Sequence, residues 1–236
     1  MAIIQWIRSL IFVLQMYLAM AVIALLLLPY ALIGHKQTIQ VMRLYTIWVR
    51  WTARWMVGIK SEIRGNIPTG DVIVAAKHQS FLDIILIFNV LPNARFVMKK
   101  EILRTPFVGF YGRRIGCIAI DRSSGADAMN SIRTSLEADG TSGQLIIFPQ
   151  GTRVPPGVSA PYKFGVAIIQ EQTGLPVHPV ANNVGYFWPR KGIMRKPGTA
   201  VVEFLDPLPV GLERTELMAQ LETVIEDASN ILAREV

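Results

Sequence analysis

Apolar positions along the chain fall into three regimes. From Leu10 to Leu28 every residue except Gln15 is apolar, and the run continues through Pro29 and Tyr30 to Ile33. About 20 helical residues cover roughly 30 Å, the thickness of a bilayer's hydrocarbon core, so the length permits a spanning helix. Pro29 would kink it, which equally allows a bent helix dipping into one leaflet. A cleaved signal peptide starting at Arg8 is the other reading, but the run exceeds an ordinary signal core and no small-x-small cleavage site follows it. The second regime, Thr38 to Val57, is helical by period. At about 100° per residue Lys36, Arg43, Arg50 and Arg54 cluster on one side, with Val41, Tyr45, Trp48, Thr52 and Trp55 opposite. Aromatic rings favour the headgroup boundary and arginines reach lipid phosphates, so this pattern predicts a helix lying in the membrane interface. A helix packed on a soluble core with a solvated basic face is the alternative.

Beyond Glu62 short apolar runs alternate with amphipathic stretches. The predicted strands are Val72 to Ala76, Arg95 to Met98, Cys117 to Ile120, Leu145 to Phe148, Val177 to Val184 and Ala200 to Phe204. Predicted helices are Ser80 to Val90, Asp127 to Ala138, Lys163 to Gln172 and Arg214 to Ala233, the last with Leu217, Leu221, Ile225 and Leu232 on one face. The alternation predicts an α/β fold: a central mixed, largely parallel sheet flanked by helices, preceded by an apolar plus amphipathic helical membrane anchor. The expected division is residues 1–60 for the anchor and 61–236 for the α/β domain.

Composition sharpens this picture. The chain's 236 residues suffice for one α/β domain and an appendage. With 51% apolar and 17% charged residues, a disordered chain is excluded. A single cysteine, Cys117, excludes an intrachain disulfide or a multi-thiolate zinc site, and three histidines are too few for a histidine metal cluster, so no metal is expected. The formal charge is +7, yet residues 1–61 hold six basic and no acidic residues while the remainder is nearly balanced. The basicity therefore belongs to the greasy arm, which argues against a nucleic-acid partner and places the remainder on the cytoplasmic side of an inner membrane.

Candidate chemistry sits at the ends of predicted strands, where α/β sheets place their ligands. In Lys77-His78-Gln79-Ser80-Phe81-Leu82-Asp83, a five-residue offset on one continuous helix would hold His78 and Asp83 about 140° apart. Ser80 and Asp83, however, form a capping-box pattern that starts the helix at Ser80 and frees His78 to fold back onto the carboxylate. A carboxylate on one imidazole nitrogen fixes the tautomer and leaves the other to deprotonate a hydroxyl. Phe148-Pro149-Gln150-Gly151-Thr152-Arg153 is a turn whose amides and guanidinium suit a phosphate or an oxyanion. Arg122 follows a third strand, and Lys99 or Lys100 could join the same edge. For each, an ordinary surface turn or a solvated cation is the competing reading. Cys117 lies inside an apolar strand and reads as core, not as a nucleophile. The cluster Arg190, Lys191, Arg195 and Lys196 fits either headgroup contact or a solvated loop.

Taken together, these motifs resemble those of the membrane-associated glycerolipid acyltransferases, most closely the bacterial 1-acyl-sn-glycerol-3-phosphate acyltransferases. His78 and Asp83 match the family's H-x-x-x-x-D motif; Gly116, Ile118 and Arg122 match G-x-[IVL]-x-x-x-R. Phe148 to Arg153 matches F-P-E-G-T-R with Gln150 in place of the usual glutamate, and Leu175 to Val180 matches the V-P-x-x-P-V strand, where His178 is a strand residue and not a second base. The resemblance covers about residues 60 to 185. It implies transfer of a fatty acyl group from acyl-CoA or acyl carrier protein to the sn-2 hydroxyl of lysophosphatidic acid, with no separate cofactor and the bilayer as partner. His78 would be the base and Asp83 its orienting acid. Lys99, Lys100, Arg122, Gln150, Gly151, Thr152 and Arg153 would bind substrate. A lyso-ornithine lipid or glycerol 3-phosphate is an alternative acceptor, and an inert lipid-binding protein is the alternative class. Gln150 keeps a hydrogen-bonding carbonyl but removes a charge, leaving Arg153 less neutralised.

Overall fold

The computed structural model describes residues 2–120 and 143–236. The arm comprises α1 (Ala2–Leu26), α2 (Leu28–Ile33) with Pro29 in its first turn, and α3 (His35–Thr52), which runs into a π-helical turn at Ala53–Val57. The sheet strands are β1 (Ile59–Gly65), β2 (Val72–Ala76), β3 (Ala94–Lys99), β4 (Ile118–Ile120), β5 (Gln144–Ile147), β6 (Val177–Asn182) and β7 (Gly198–Phe204). Between them lie α4 (Phe81–Val90), α5 (Val108–Arg114) and α6 (Gly165–Thr173), and α7 (Arg214–Ala233) closes the chain. The strand order is β1-β7-β6-β2-β5-β3-β4, parallel except for the β6–β7 pair. This is the predicted mixed, largely parallel α/β sheet.

The period of two sorts the core into layers. Val72, Val74 and Ala76 of β2, Ile146 of β5 and Val180 of β6 face one side, where they pack with α4 and with Phe12, Met16, Val49 and Val57 of the arm. Ile73, Ala75, Leu145, Ile147 and Val177 face the other side, against α6 and α7. The arm and the sheet thus share one buried cluster. Gly58 joins them in a left-handed conformation (φ 77°), and a Cβ there would lie 2.9 Å from Pro197 Cβ, so the junction needs glycine.

Every predicted strand is present, with no end shifted by more than two residues. Unforeseen were β1, whose IKSEIRG sequence reads as charged loop because it lies at the sheet edge, and the short, Gly-interrupted α5. The helix predicted at Asp127 to Ala138 lies outside the described residues.

The arm departs from expectation in one respect. Arg43, expected to reach lipid phosphates, instead donates to the carbonyls of Leu91 (2.7 Å) and Pro92 (3.2 Å) at the end of α4. Those carbonyls lie just past the last turn of α4, where the chain has left the helix and offers acceptors with no helical partner. Arg50 turns the same way, onto Ser61 Oγ (3.0 Å) and Asn89. Lys36 and Arg54 stay exposed, as do Leu44, Ile47, Trp48, Trp51 and Trp55. The basic side is therefore partly structural, and on the opposite side Val41 and Thr52 are buried while Trp48 and Trp55 stay bare.

Candidate active site

Parallel register delivers the predicted motifs to one edge of the sheet. Ala75 of β2 lies opposite Ile147 of β5, and Phe96 of β3 opposite Ile146, so the chains leaving β2, β5 and β3 emerge side by side. His78 leaves β2, Phe148 leaves β5, and Lys99 ends β3 opposite Ile120.

Ser80 begins α4 as the sequence pattern requires. Its hydroxyl accepts from Leu82 N (3.1 Å), and Asp83 Oδ2 accepts from the amides of Gln79 and Ser80, both at 2.7 Å. The other carboxylate oxygen, Oδ1, lies 2.9 Å from His78 Nδ1. Asp83 is fully buried and its two oxygens have separate tasks: one caps the helix, the other holds the imidazole. A buried carboxylate demands a donor, so Nδ1 carries the proton and Nε2 keeps its lone pair, able to accept one. The imidazole is further fixed by stacking on Phe148, with ring centroids 4.0 Å apart. His78 C=O accepts from Val154 N (2.8 Å), tying the two loops together.

His78 lines a cavity of about 470 Å³. Its apolar lining comes from the arm (Met20, Ile23, Met42), from α4 (Ile84, Ile85, Phe88) and from β3 (Phe96, Met98). Its cationic lining is Lys99, Arg153 and Arg190. Arg190 Nη1 donates to Arg153 C=O (2.8 Å), which brings the two guanidinium-bearing side chains to one place. Arg190 was read from sequence only as part of a surface cluster, and its distance along the chain from the other motifs gave no signal of this position.

The remaining predicted residues divide. Gly151 and Thr152 line the cavity; Gly151, at φ 68°, makes the tight turn. The Gly151 amide, however, already donates to Phe148 C=O (2.9 Å), so it is spent on the turn, and Thr152 is the predicted amide that remains for an oxyanion. Lys100 is exposed and absent from the cavity wall. The Gln150 side chain is 3% exposed, does not line the cavity, and neither of its amide atoms has a hydrogen-bond partner. Arg122 lies outside the described residues. Cys117 does line the cavity wall, but its sulfur accepts from Phe96 N (3.4 Å) and burial pushes the thiol up to about 12. Arg195 is buried under α1: its guanidinium caps the carbonyls of Gly192, Ile193 and Met194 and lies over Trp188, so it is neither a headgroup contact nor solvated. Among the described residues no cluster of His, Cys, Asp or Glu could hold a metal ion.

Comparison with known proteins places the chain in a family. The chain is 34% identical over 155 residues to the 1-acyl-sn-glycerol-3-phosphate acyltransferase of Pseudomonas aeruginosa, covering 64% of this chain and 60% of that protein. It is 33% identical over 127 residues to the protein of the same name from Helicobacter pylori, covering 53% of this chain and 54% of that one. The matched stretch thus spans little more than half the length of these relatives. The crystal structure of the 1-acyl-sn-glycerophosphate (LPA) acyltransferase PlsC from Thermotoga maritima superposes with a TM-score of 0.79 over 97% of both chains at 24% identity, which shows a shared fold. Residues 58–183, from the foot of β1 through β6 and so including the His78 and Phe148–Arg153 loops, match the family model Acyltransferase, and the chain belongs to that family.

Proposed function

We propose that the protein transfers a fatty acyl group from a thioester, of coenzyme A or of acyl carrier protein, to the sn-2 hydroxyl of 1-acylglycerol 3-phosphate, giving phosphatidic acid. The observation that carries this is one cavity lined by an oriented imidazole, an apolar wall and, among the described residues, the cations Lys99, Arg153 and Arg190. The names of the relatives support the same acceptor.

The steps follow from the geometry. His78 Nε2 takes the proton of the sn-2 hydroxyl, and the oxygen attacks the thioester carbonyl carbon. Asp83 stabilises the imidazolium through the 2.9 Å contact. The tetrahedral oxyanion is steadied by the Thr152 amide, where charge develops. The C–S bond then breaks, the thiolate takes the proton back from His78, and the ester is complete. No acyl-enzyme forms. Arg153, Arg190 and Lys99 bind the acceptor phosphate, for which guanidinium groups offer paired donors.

The arm explains how the acyl chains arrive. Ala2–Leu26 is the one described helix long and apolar enough to cross a membrane. Phe12, Met16 and Ala24 are buried against the rest of the protein, while Ile7, Ile11, Leu14 and Leu18 are exposed. A helix bound along its length to the catalytic domain cannot cross the bilayer without dragging polar surface into hydrocarbon, so it lies in one leaflet with Trp48, Trp51 and Trp55 at the boundary. The substrate then enters sideways from the cytoplasmic leaflet without passing through water. The test is competition. Purified protein in phospholipid vesicles receives labelled acyl-CoA or acyl carrier protein with equimolar lysophosphatidic acid, glycerol 3-phosphate and lyso-ornithine lipid. Label appears in phosphatidic acid; preference for either other acceptor refutes the assignment.

A further inference from the structure

On the face of the sheet opposite the cavity, the strand period that turns His78 toward the arm turns Lys77 toward α7. That face is otherwise apolar, built from Ile73, Ala75, Leu145, Ile147, Leu221 and Ile225. Lys77 is nevertheless buried there at 3% exposure, with its ammonium on Glu226 Oε2 of α7. The second oxygen of the same carboxylate accepts from the hydroxyl of Tyr162 (2.9 Å), itself 8% exposed. A buried ion pair is poor value for stability alone, since apolar residues of similar volume usually serve as well. Its position in the chain suggests another use.

Lys77 is the residue before His78, and its backbone is pinned by Val180 C=O (2.9 Å) and Asn182 Nδ2 (2.7 Å). Tyr162 is the residue before Lys163, whose amide donates to Pro149 C=O (3.0 Å) at the root of the Phe148–Arg153 loop. One carboxylate on the C-terminal helix therefore holds Lys77, the neighbour of His78, and Tyr162, the neighbour of the residue bonded to the root of the Phe148–Arg153 loop. We propose that Glu226 is a positioning residue for acyl transfer, fixing the separation between the base and the oxyanion and phosphate loop through Lys77 and Tyr162. The proposal rests on His78 being the base.

The experiment uses the full chain in vesicles, measuring kcat, the KM of donor and of acceptor, and thermal stability for wild type, Tyr162→Phe, Glu226→Gln and His78→Ala. Displacement of reacting groups by about 1 Å costs up to about 100-fold. Glu226→Gln should lower kcat about 10- to 100-fold and Tyr162→Phe about 5-fold, each KM staying within about twofold of wild type, well below the melting temperature. Tyr162→Phe changes no charge and leaves the ion pair in place, so it remains informative if Glu226→Gln fails to fold. Wild-type kcat in Tyr162→Phe, or a change confined to KM or to melting temperature, overturns the proposal. Loss of activity in His78→Ala beside unchanged Tyr162→Phe would sink the positioning role alone, whereas an active His78→Ala would sink the catalytic reading beneath it.

Discussion

Replacing Asp83 by asparagine separates the two tasks of its carboxylate. Oδ2 now takes two backbone amides at 2.7 Å and Oδ1 takes the His78 proton. An asparagine has one oxygen and one NH2, and must choose. With its oxygen kept on the amides, the NH2 faces Nδ1, which must become an acceptor, and Nε2 then carries the proton and cannot act as base. With its oxygen turned to His78, two buried N–H groups face an NH2, at about 1–3 kcal/mol each. The first orientation wins by about 2–6 kcal/mol, so the wrong tautomer is the populated one. In a Ser–His–Asp triad the equivalent change lowers kcat about 10⁴-fold, which at 1.36 kcal/mol per factor of ten is about 5.5 kcal/mol of barrier. Stability should fall only about 1–2 kcal/mol, because the helix cap keeps a neutral acceptor, and Tm should drop by about 2–8 °C. Labelled acyl transfer at saturating substrates and circular-dichroism melting read the two effects on one preparation. A folded Asp83→Asn protein with kcat within about tenfold of wild type would refute the orientation argument.

Three further predictions test the cation pair, the cavity thiol and a histidine of β6. Arg153→Ala and Arg190→Ala should each raise the KM for lysophosphatidic acid about tenfold, the lower end for a charge-assisted bond given their exposure, while a phosphate-free acceptor shows no change in steady-state kinetics. Cys117→Ala should keep kcat within about twofold, and the wild-type thiol, pushed up to about 12, should resist alkylation at neutral pH; an inactive but folded alanine variant would contradict this. Burial, opposed by Asp206, holds the His178 imidazole below its ordinary 6.5. The neutral ring therefore contributes stability above pH 6.5 that is lost as pH falls through the lower folded value, and His178→Gln should flatten denaturation midpoints across that acid window.

What the sequence made legible follows local physics. The His78–Asp83 contact could be read because a capping box fixes the helix start within a few residues, and the strand ends could be read because β2 and β5 are buried on both faces and mostly apolar, as is the middle of β3. Arg43 and Arg50 were misplaced because helical period reports a shared side, not what covers it; α4 and its unpaired carbonyls sit there instead of lipid. β1 hid behind Lys60, Glu62 and Arg64, which an edge strand tolerates. Arg190 and Glu226 lay beyond reach for a simpler reason. The Lys77–Glu226 contact spans 149 residues, and only the closed sheet brings such partners together.

The proposed chemistry has the His78 imidazole perform the proton transfer on a protein held at the membrane by its arm. The most direct measurement is transfer of labelled acyl group to lysophosphatidic acid by His78→Ala and wild type, each first shown by flotation to be bound to the same vesicles. Undiminished flotation with no labelled phosphatidic acid above background is the predicted result. Turnover by the vesicle-bound His78→Ala protein at the wild-type rate would contradict it.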